Sequence, residues 1–231
     1  MDNQKKEWET SYLNRDNFVF YPHEEVIRFT SKYIRKRIGL NEFKETQNQF
    51  AHPKVLDLGC GIGRHVIYLS QMELDAYGVD LSEYAVDTAK GWASQQGISQ
   101  LEEKIKVGDI RSLPWDDGFF HYAVSHGVLD SMHFKIARDA VKDLFRVMVP
   151  GGLFYCDLVS GDDSSHSREF CGEDIVAEDH EKGTVQSYFN YEKLVDLFNG
   201  YFEFVEVLLI RKENIHTGSF ISRYHLVLRR I

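Results

Sequence analysis

The sequence predicts an α/β fold with a doubly wound, mostly parallel sheet, and three features lead to this prediction. From Lys54 onward, short apolar segments alternate with amphipathic segments of helical length, which indicates parallel strands joined by right-handed crossover helices. A turn with three alternating glycines, Gly59, Gly61 and Gly63, follows the first of these strands. Near the other end, two strand-like segments follow each other without a helix, which predicts an antiparallel pair.

The first fifty residues are predicted to be helical. In YPHEEVIRFTSKYIRKRIG, Pro22 suits a first helical position, Gly39 suits a stop, and apolar residues recur at helical spacing between them. Trp8 and Tyr12 lie four residues apart, which indicates a shorter helix before this one. The basic run KYIRKRIG is interpreted as the solvated face of the longer helix.

The next elements follow from alternating periodicity, with Ser82 as a helix cap. In chain order they are the strand KVLDLG, the helix GRHVIYLSQM, the strand DAYGVDLS, the helix EYAVDTAKGWASQQ, the strands KIKVGDI and FFHYAVSHGV, the helix KIARDAVKDLFRVM and the strand GGLFYCDLVS. The polar segment 161–186 fits neither scheme and is interpreted as an excursion over the top of the sheet. A helix, NYEKLVDLFNG, and the strands FEFVEVLLIRKE and SFISRYHLVLRR complete the fold.

Composition excludes several classes of protein. The 231 residues include 36 acidic and 27 basic side chains, and the resulting net charge of -9 disfavours a protein that binds the phosphates of long nucleic acid. No apolar run approaches the roughly 18 residues of a membrane span, and MDNQKKEWET lacks the apolar core of a signal peptide. Cys60, Cys156 and Cys171 form an odd set without metal-ligand spacing. We therefore expect a cytoplasmic protein with no metal site and no membrane partner.

The glycine turn predicts a nucleotide-binding site. A strand, a glycine turn and a helix N-terminus let a ligand approach the backbone closely and attract its negative groups. Asp80 stands about twenty residues on, at the end of the second strand, where a carboxylate can accept both hydroxyls of a ribose. The spacing is G-x-G-x-G, which departs from the G-x-G-x-x-G of dinucleotide sites, and no Lys-Ser/Thr follows as in a phosphate-binding loop.

Four segments in order resemble the motifs of one family, the class I S-adenosylmethionine (SAM)-dependent methyltransferases. These segments are VLDLGCGIGRH, YGVDLSEYAVDTAK, VGDIRSLPWDDGFFHYAVSHGVLDSM and LFRVMVPGGLFYCDL. The resemblance covers roughly residues 50 to 160, and the closing antiparallel pair is also a mark of that family. It implies a Rossmann-like sheet in a single domain, residues 1–231. Its parts would be an N-terminal helical lid (1–50), a SAM-binding core (51–160), a cap excursion (161–189) and a C-terminal helix with the strand pair (190–231).

The resemblance implies that SAM is the cofactor and S-adenosylhomocysteine (SAH) its product. The implied cofactor-binding residues are Asp57, Gly59, Cys60, Gly61, Gly63, Asp80, Leu81, Asp109, Ile110 and Ser125. The glycines would pass under the methionine part, and Asp80 would take the ribose hydroxyls. Asp57 would hold the ammonium group or simply orient the loop. Asp109 would accept from the adenine amino group or cap a turn.

Methyl transfer depends mainly on orientation, with a general base added when the acceptor is a hydroxyl. The candidate catalytic residues are His126, at the end of the fourth core strand, and His133 after it. His126 is expected to contact the acceptor as base or orienting group, the alternative being a packing residue. The N-terminal helices and the excursion are expected to form the lid and the acceptor pocket.

These features predict a methyltransferase acting on a small molecule, sugar or other metabolite, at oxygen or nitrogen. The segment SHGVLD lacks the Asp/Asn-Pro-Pro-Tyr/Phe turn of enzymes that methylate DNA bases or glutamine, so no nucleic-acid partner is expected. Two alternatives remain open from the sequence. One is a SAM-binding scaffold without catalysis, and the other is a nicotinamide-dependent oxidoreductase, which the glycine spacing disfavours.

Overall fold

The structure is a computed structural model that describes residues 2–15, 17–46, 50–98, 100–177 and 182–231. The α-helices within these ranges are α1 (Asp2–Leu13), α2 (Glu24–Phe29), α3 (Arg64–Gln71), α4 (Glu83–Gln95), α5 (Leu101–Lys104), α6 (Phe134–Val147) and α7 (Tyr191–Phe198). The strands are β1 (Arg35–Arg37), β2 (Phe43–Glu45), β3 (Lys54–Leu58), β4 (Asp75–Asp80), β5 (Ile105–Val107), β6 (Phe120–Ser125), β7 (Met148–Val159), β8 (Glu173–Ile175), β9 (Val185–Ser187), β10 (Phe202–Glu213) and β11 (Phe220–Arg230).

Seven of the described strands form one sheet in the order β10-β11-β7-β6-β3-β4-β5. The pairs from β7 to β5 are parallel, and β11 runs antiparallel to both β7 and β10. The chain moves outward from β3 to β4 and β5, then returns to β6 on the other side of β3. The order therefore reverses between β3 and β6, the place where open α/β sheets bind ligands. The predicted fold class is confirmed.

Apolar side chains of the sheet pack into two hydrophobic cores, one on each face of the sheet. Leu56 and Leu58 of β3 point into a cluster that helices α6 and α7 cover, whereas Val55 points into a cluster covered by α2, α3 and α4. This alternation follows from the period of two along a strand. Local capping fixes where the helices start: the Ser82 hydroxyl accepts a hydrogen bond from the Ala85 amide at 3.0 Å, as predicted.

The N-terminal region differs from the prediction of one helix from Pro22 to Gly39. Helix α2 starts at Glu24, and a π-helical segment, Thr30–Ile34, follows it. The basic run then turns into strand β1, which pairs antiparallel with β2. Arg35 accounts for the difference, because its guanidinium donates to the Met72 carbonyl at 3.1 Å and to the Glu73 carbonyl at 2.8 Å. These carbonyls follow α3, and a contact over such a sequence distance leaves no local signal.

The predicted excursion contains a small antiparallel sheet of β8 and β9. It packs on the loop that follows β6: the Ser187 amide donates to the Asp130 carbonyl at 2.7 Å, and the Gln186 side chain donates to the same oxygen at 3.0 Å. No helix among the described residues is both long and apolar enough to cross a membrane.

Candidate active site

A cavity of about 370 Å³ opens at the carboxyl ends of the central strands. This volume lies in the range of small-molecule sites, roughly 300–1,000 Å³. Its lining comes from α1 and the segment after it, the glycine turn, the ends of β4, β5 and β6, and the start of α6. The lining residues are Lys5, Trp8, Tyr12, Asn17, Val19, Gly59, Cys60, Gly61, Ile62, Arg64, His65, Asp80, Leu81, Asp109, Ile110, Arg111, His126, Gly127, Val128, Ser131, Met132 and Ile136.

Two glycines of the turn, Gly59 and Gly61, face this cavity. Both have positive φ, +74° and +52°, which favours glycine at these positions. A Cβ at Gly59 would lie 2.5 Å from the Val128 side chain, and one at Gly61 would lie 2.6 Å from the Tyr12 hydroxyl. A Cβ at either position would therefore intrude on the floor of the cavity.

Gly63 and Cys60, the other predicted residues of the turn, have packing roles. Gly63, at φ +89°, does not line the cavity; a Cβ there would lie 2.9 Å from Cβ of Ala89 on α4. This glycine lets α3 and α4 pack closely. Cys60 lines the cavity, but its thiol is buried, and burial raises its pKa well above the ordinary value. It therefore fits a small packing residue better than a nucleophile.

Asp80 links the second strand to the glycine turn. Its carboxylate accepts hydrogen bonds from the Gly61 amide at 2.8 Å and from the Ser82 amide at 2.9 Å. Burial raises the pKa of this carboxyl to about 6, against the lowering effect of these two bonds. Leu81 lines the cavity next to it. The carboxylate thus supports the turn and retains lone pairs for a ligand.

Asp57 carries a buried carboxylate that is not satisfied by hydrogen bonds. It is 1% exposed, and neither oxygen has a hydrogen-bond partner among the described residues. Nδ1 of His65 lies 3.6 Å from one of them. A buried carboxylate without donors is costly, so a cationic ligand group at this position would stabilise it. Together with the space above Gly61, this unpartnered carboxylate fits the ammonium end of SAM.

Asp109 and Ile110 both line the cavity, at the loop after β5. Both oxygens of Asp109 accept hydrogen bonds from Arg111, at 2.9 Å and 3.1 Å from its Nε, and this pairing lowers the pKa of the carboxyl. Oδ1 also accepts from the Arg111 amide at 2.9 Å, and Oδ2 accepts from a terminal nitrogen of Arg111 at 2.5 Å. Arg111 thus occupies both oxygens, and Asp109 and Ile110 together present a polar edge and an apolar face to the cavity.

Besides Asp57 and Gly63, two more predicted residues, Ser125 and His133, do not line the cavity. The Ser125 hydroxyl is buried and donates to the Leu58 carbonyl at 3.1 Å, so it joins β6 to β3. The His133 side chain is 57% exposed at the start of α6, where Nδ1 lies 2.6 Å from a Glu173 carboxylate oxygen. Glu173 thus holds this histidine at the surface, and its catalytic role stays a prediction.

His126 lines the cavity in a buried, polar setting. Its Nδ1 lies 3.1 Å from a guanidinium nitrogen of Arg64, and its Nε2 lies 3.5 Å from a carboxylate oxygen of Asp157. Burial lowers its pKa to about 2, only partly offset by Asp157. The imidazole is therefore neutral at physiological pH.

The surroundings of His126 include residues that sequence reasoning missed. The ring of His23 lies 4.0 Å from that of His126 and 5.9 Å from that of His225. The His23 amide donates to Nε2 of His65 at 3.3 Å, and Nδ1 of His225 lies 2.9 Å from the Tyr155 hydroxyl. These histidines come from four separate parts of the chain, so no motif spacing could have revealed the cluster.

Arg223 of β11 ties the loop after β6 to strand β7. Its Nε donates to Asp157 at 2.7 Å, and a terminal nitrogen donates to Asp130 at 2.6 Å. Asp157 in turn accepts from the Gly127 amide at 2.8 Å, and Asp130 accepts from the Val159 amide at 2.8 Å. This network holds the loop that carries His126, and sequence reasoning missed Arg223 as its centre.

Helix α1 lies across the cavity and presents Trp8 and Tyr12 to it. Lys5 donates to Glu83 at 2.7 Å, and the Tyr84 amide donates to Glu9 at 3.1 Å, so α1 is attached to the start of α4. The excursion, by contrast, contributes no described residue to the cavity lining. The described part of the excursion packs instead on the loop after β6, and its share in the acceptor pocket stays a prediction.

The described residues contain no group of three or more histidine, cysteine, aspartate or glutamate side chains that could hold a metal ion.

Comparison with known proteins finds matches for the glycine turn and the central strands. Residues 55–152 match the sequence model of a methyltransferase domain. A sterol 24-C-methyltransferase of Aspergillus fumigatus is 24% identical over 156 residues, 64% of this chain and 38% of that protein. A 2-heptyl-1-hydroxyquinolin-4(1H)-one methyltransferase of Mycobacteroides abscessus is 29% identical over 100 residues, 43% of each chain. The chain thus spans about two fifths of the length of these curated relatives.

Solved structures share the fold. A SAM-dependent methyltransferase of Methanosarcina mazei superposes with a TM-score of 0.64 at 24% identity, over 79% of this chain and 94% of that one. A 1,6-didemethyltoxoflavin-N1-methyltransferase of Burkholderia thailandensis, with bound SAH, superposes with a TM-score of 0.65 at 15% identity, over 98% and 86%. Residues 55–152 thus match a methyltransferase domain, and the strand order and the glycine turn of this part of the chain are those of SAM-dependent methyltransferases of class I.

Proposed function

We propose that this protein transfers the methyl group of SAM to a small-molecule acceptor, a sugar or another metabolite, at oxygen or nitrogen. One observation carries the proposal: a single cavity is lined both by the residues implied for the cofactor and by residues that no cofactor role uses. Trp8, His126, Ser131 and Met132 belong to the second set. A continuous space of this kind suits two ligands side by side, as methyl transfer requires.

Each part of the cofactor would contact a different set of the implied residues. Asp57 would accept from the ammonium group and Asp80 from the ribose hydroxyls, while Asp109 and Ile110 would contact the adenine. Bound SAM supplies an electrophilic methyl group on a sulfonium. The contribution of the protein is to hold donor and acceptor in line and to exclude water.

Helix α1 would act as the lid of this site. Trp8 and Tyr12 offer apolar rings above the glycine turn, and the attachments of Lys5 and Glu9 to α4 are exposed or half-buried. Contacts of this kind open and close at low cost. Such a lid would admit both ligands and then shield the transferring methyl group from water.

Small-molecule acceptors are supported by the relatives, whose names specify a sterol and a quinolone. The net charge of -9 argues in the same direction, because it disfavours binding to nucleic acid. The described cysteines Cys60, Cys156 and Cys171 are free thiols, which supports a reducing, cytoplasmic setting.

Calorimetry with SAH tests the cofactor part of the proposal. The substitution Asp57→Asn keeps the shape but removes the charge, and should weaken SAH binding by about 1–3 kcal/mol. Asp75→Asn is the matched control, since Asp75 forms an ion pair with Lys104 at the start of β4. Equal affinity in the parent and in Asp57→Asn would remove Asp57 from the site.

Incubation of isotope-labelled SAM with fractionated cell extract tests the transfer itself. Label should move to a small molecule in at least one fraction, and mass spectrometry should identify it as a methylated metabolite. Tight SAH binding without label transfer in any fraction would favour the non-catalytic SAM-binding alternative.

A further inference from the structure

Arg64 is a cavity cation without a carboxylate partner. Its hydrogen bond within the described chain goes to Nδ1 of His126, and no carboxylate among the described residues forms an ion pair with it within 4.0 Å. The other two cavity cations are neutralised: Arg111 by Asp109, and Lys5 by Glu83 at 2.7 Å. Burial lowers the pKa of Arg64, which shows how little water compensates its charge. Asp57 and Asp157 act on this charge only from a longer distance, so Arg64 presents to the cavity a positive charge without a direct ion-pair partner.

The contact with Arg64 fixes the proton of His126. A guanidinium only donates hydrogen bonds, so Nδ1 of His126 accepts and the proton of the neutral ring resides on Nε2. Nε2 points toward Asp157, 3.5 Å away. The groups that face the ring are Arg64 and His65 from α3, His23 from the segment before α2, and Asp157 from β7. His126 has no free lone pair with which to take a proton from an acceptor.

The other imidazole and carboxylates that line the cavity are committed as well. Nε2 of His65 accepts from the His23 amide, and Nδ1 faces Asp57. Asp80 accepts from two backbone amides, and the proposed function assigns its remaining lone pairs to the ribose hydroxyls. Asp109 is held by Arg111. Among the described residues, the cavity therefore offers an acceptor no free imidazole or carboxylate as a base.

On the basis of the proposed function, we propose that the acceptor enters as a small aromatic anion bound by Arg64, with His126 acting as the positioning residue of Arg64. The aromatic character follows from the rings of Trp8 and Tyr12 at the cavity wall. The anion follows from the unpaired guanidinium and from the lack of a free base. An ionised aromatic hydroxyl or thiol, whose proton leaves in solution at neutral pH, is the class that fits.

The charges balance without a proton acceptor. A lone pair of the anionic oxygen or sulfur forms the new bond to the methyl carbon, the carbon–sulfur bond of the sulfonium breaks, and its electron pair stays on sulfur. One negative and one positive group become two neutral groups, and no proton is released. A site with an orienting guanidinium and without a base is sufficient for this step.

Nitrogen-15 NMR of the full chain tests the fixed proton of His126. The chain has ten histidines, so the His126 signals are assigned from the spectrum of a His126→Gln variant. In the parent protein, Nδ1 should show the shift of an unprotonated ring nitrogen and Nε2 that of a protonated one, unchanged from about pH 5.5 to 8.5. Titration of His126 near neutral pH, or a proton on Nδ1, would overturn the positioning role.

Binding of 4-nitrophenol tests the anionic acceptor. This compound ionises near neutral pH, and its absorbance distinguishes phenol from phenolate. On the SAH-saturated protein the phenolate should bind at least about tenfold more tightly than the phenol, a shift of about one unit in its apparent pKa. Arg64→Gln should abolish the preference, whereas the charge-matched control Arg229→Gln should retain it, because Arg229 pairs with Glu203 outside the cavity.

Equal binding of both forms, no binding of either, or a preference that survives Arg64→Gln would overturn the anionic acceptor. The proposed function fails separately, through lack of SAH binding in calorimetry. The NMR experiment is informative in either case, because the contact between Arg64 and His126 exists without ligand.

Discussion

Replacing Gly61 by alanine tests whether the glycine turn is shaped by a ligand, and Gly97→Ala is its matched control. Both glycines have positive φ, +52° and +74°. A methyl group at Gly61 would lie 2.6 Å from the Tyr12 hydroxyl, above the floor of the cavity. A methyl group at Gly97 would meet no atom within 4 Å. The two variants therefore share the backbone cost and differ only in the space that the methyl group fills.

The magnitudes follow from this difference. An L-residue in the left-handed region costs roughly 1–2 kcal/mol, so both variants should lose about that much unfolding free energy. Overpacking adds about 1–3 kcal/mol, and at Gly61 it acts where the ligand and Tyr12 compete for space. SAH affinity should therefore fall about five- to 150-fold in Gly61→Ala and stay at the parental value in Gly97→Ala.

Urea unfolding supplies the stability of each variant, and calorimetry with SAH supplies the affinity. A Gly61→Ala protein that is folded and binds SAH like the parent would refute the close approach of ligand to backbone. A comparable loss of affinity in Gly97→Ala would show that the effect is one of general stability.

Three further results are expected. Asp80 must be ionised to accept ribose hydroxyls, and its pKa is about 6. SAH affinity measured by calorimetry should therefore fall up to about tenfold per pH unit below pH 6, and this pH dependence should be absent in Asp80→Asn. The pKa of His126 is about 2 in the folded protein against 6.5 in the unfolded chain, so the unfolded state takes up a proton as the pH falls. The free energy of unfolding should therefore fall by up to about 1.4 kcal/mol per pH unit below pH 6.5. Urea unfolding should show a weaker pH dependence of this free energy in His126→Gln, and an unchanged pH dependence would contradict the burial of the ring. SAH should slow hydrogen exchange in α1, and equal exchange with and without SAH would make α1 a fixed cover.

The sequence predicted the central strands and the helices between them because their signals are local. Period-two apolar runs, the Ser82 cap and the glycine turn each act within a few residues, and the strand order then follows from crossover handedness. The positions of Asp80, Asp109 and Ile110 at the cavity follow from the same rule, since the carboxyl ends of parallel strands meet at one edge.

The remaining features depend on contacts between distant parts of the chain. Arg64 and His126 are 62 residues apart, and Arg223 lies 93 residues from Asp130. No periodicity reports such pairs. Ser125 shows the opposite error: its position at a strand end suggested a ligand contact, but its hydroxyl turns inward to a neighbouring backbone carbonyl.

The place of β11 has a consequence for the synthesis of the protein. This strand lies inside the sheet, between β7 and β10, although its residues are translated after those of every other strand. A nascent chain that stops before Phe220 lacks the guanidinium of Arg223, which leaves Asp130 and Asp157 without their shared cation. The loop that carries His126 therefore reaches its final shape only after residues 220–230 have left the ribosome. The cavity thus becomes ready for ligands late in synthesis, well after its glycine turn has been made.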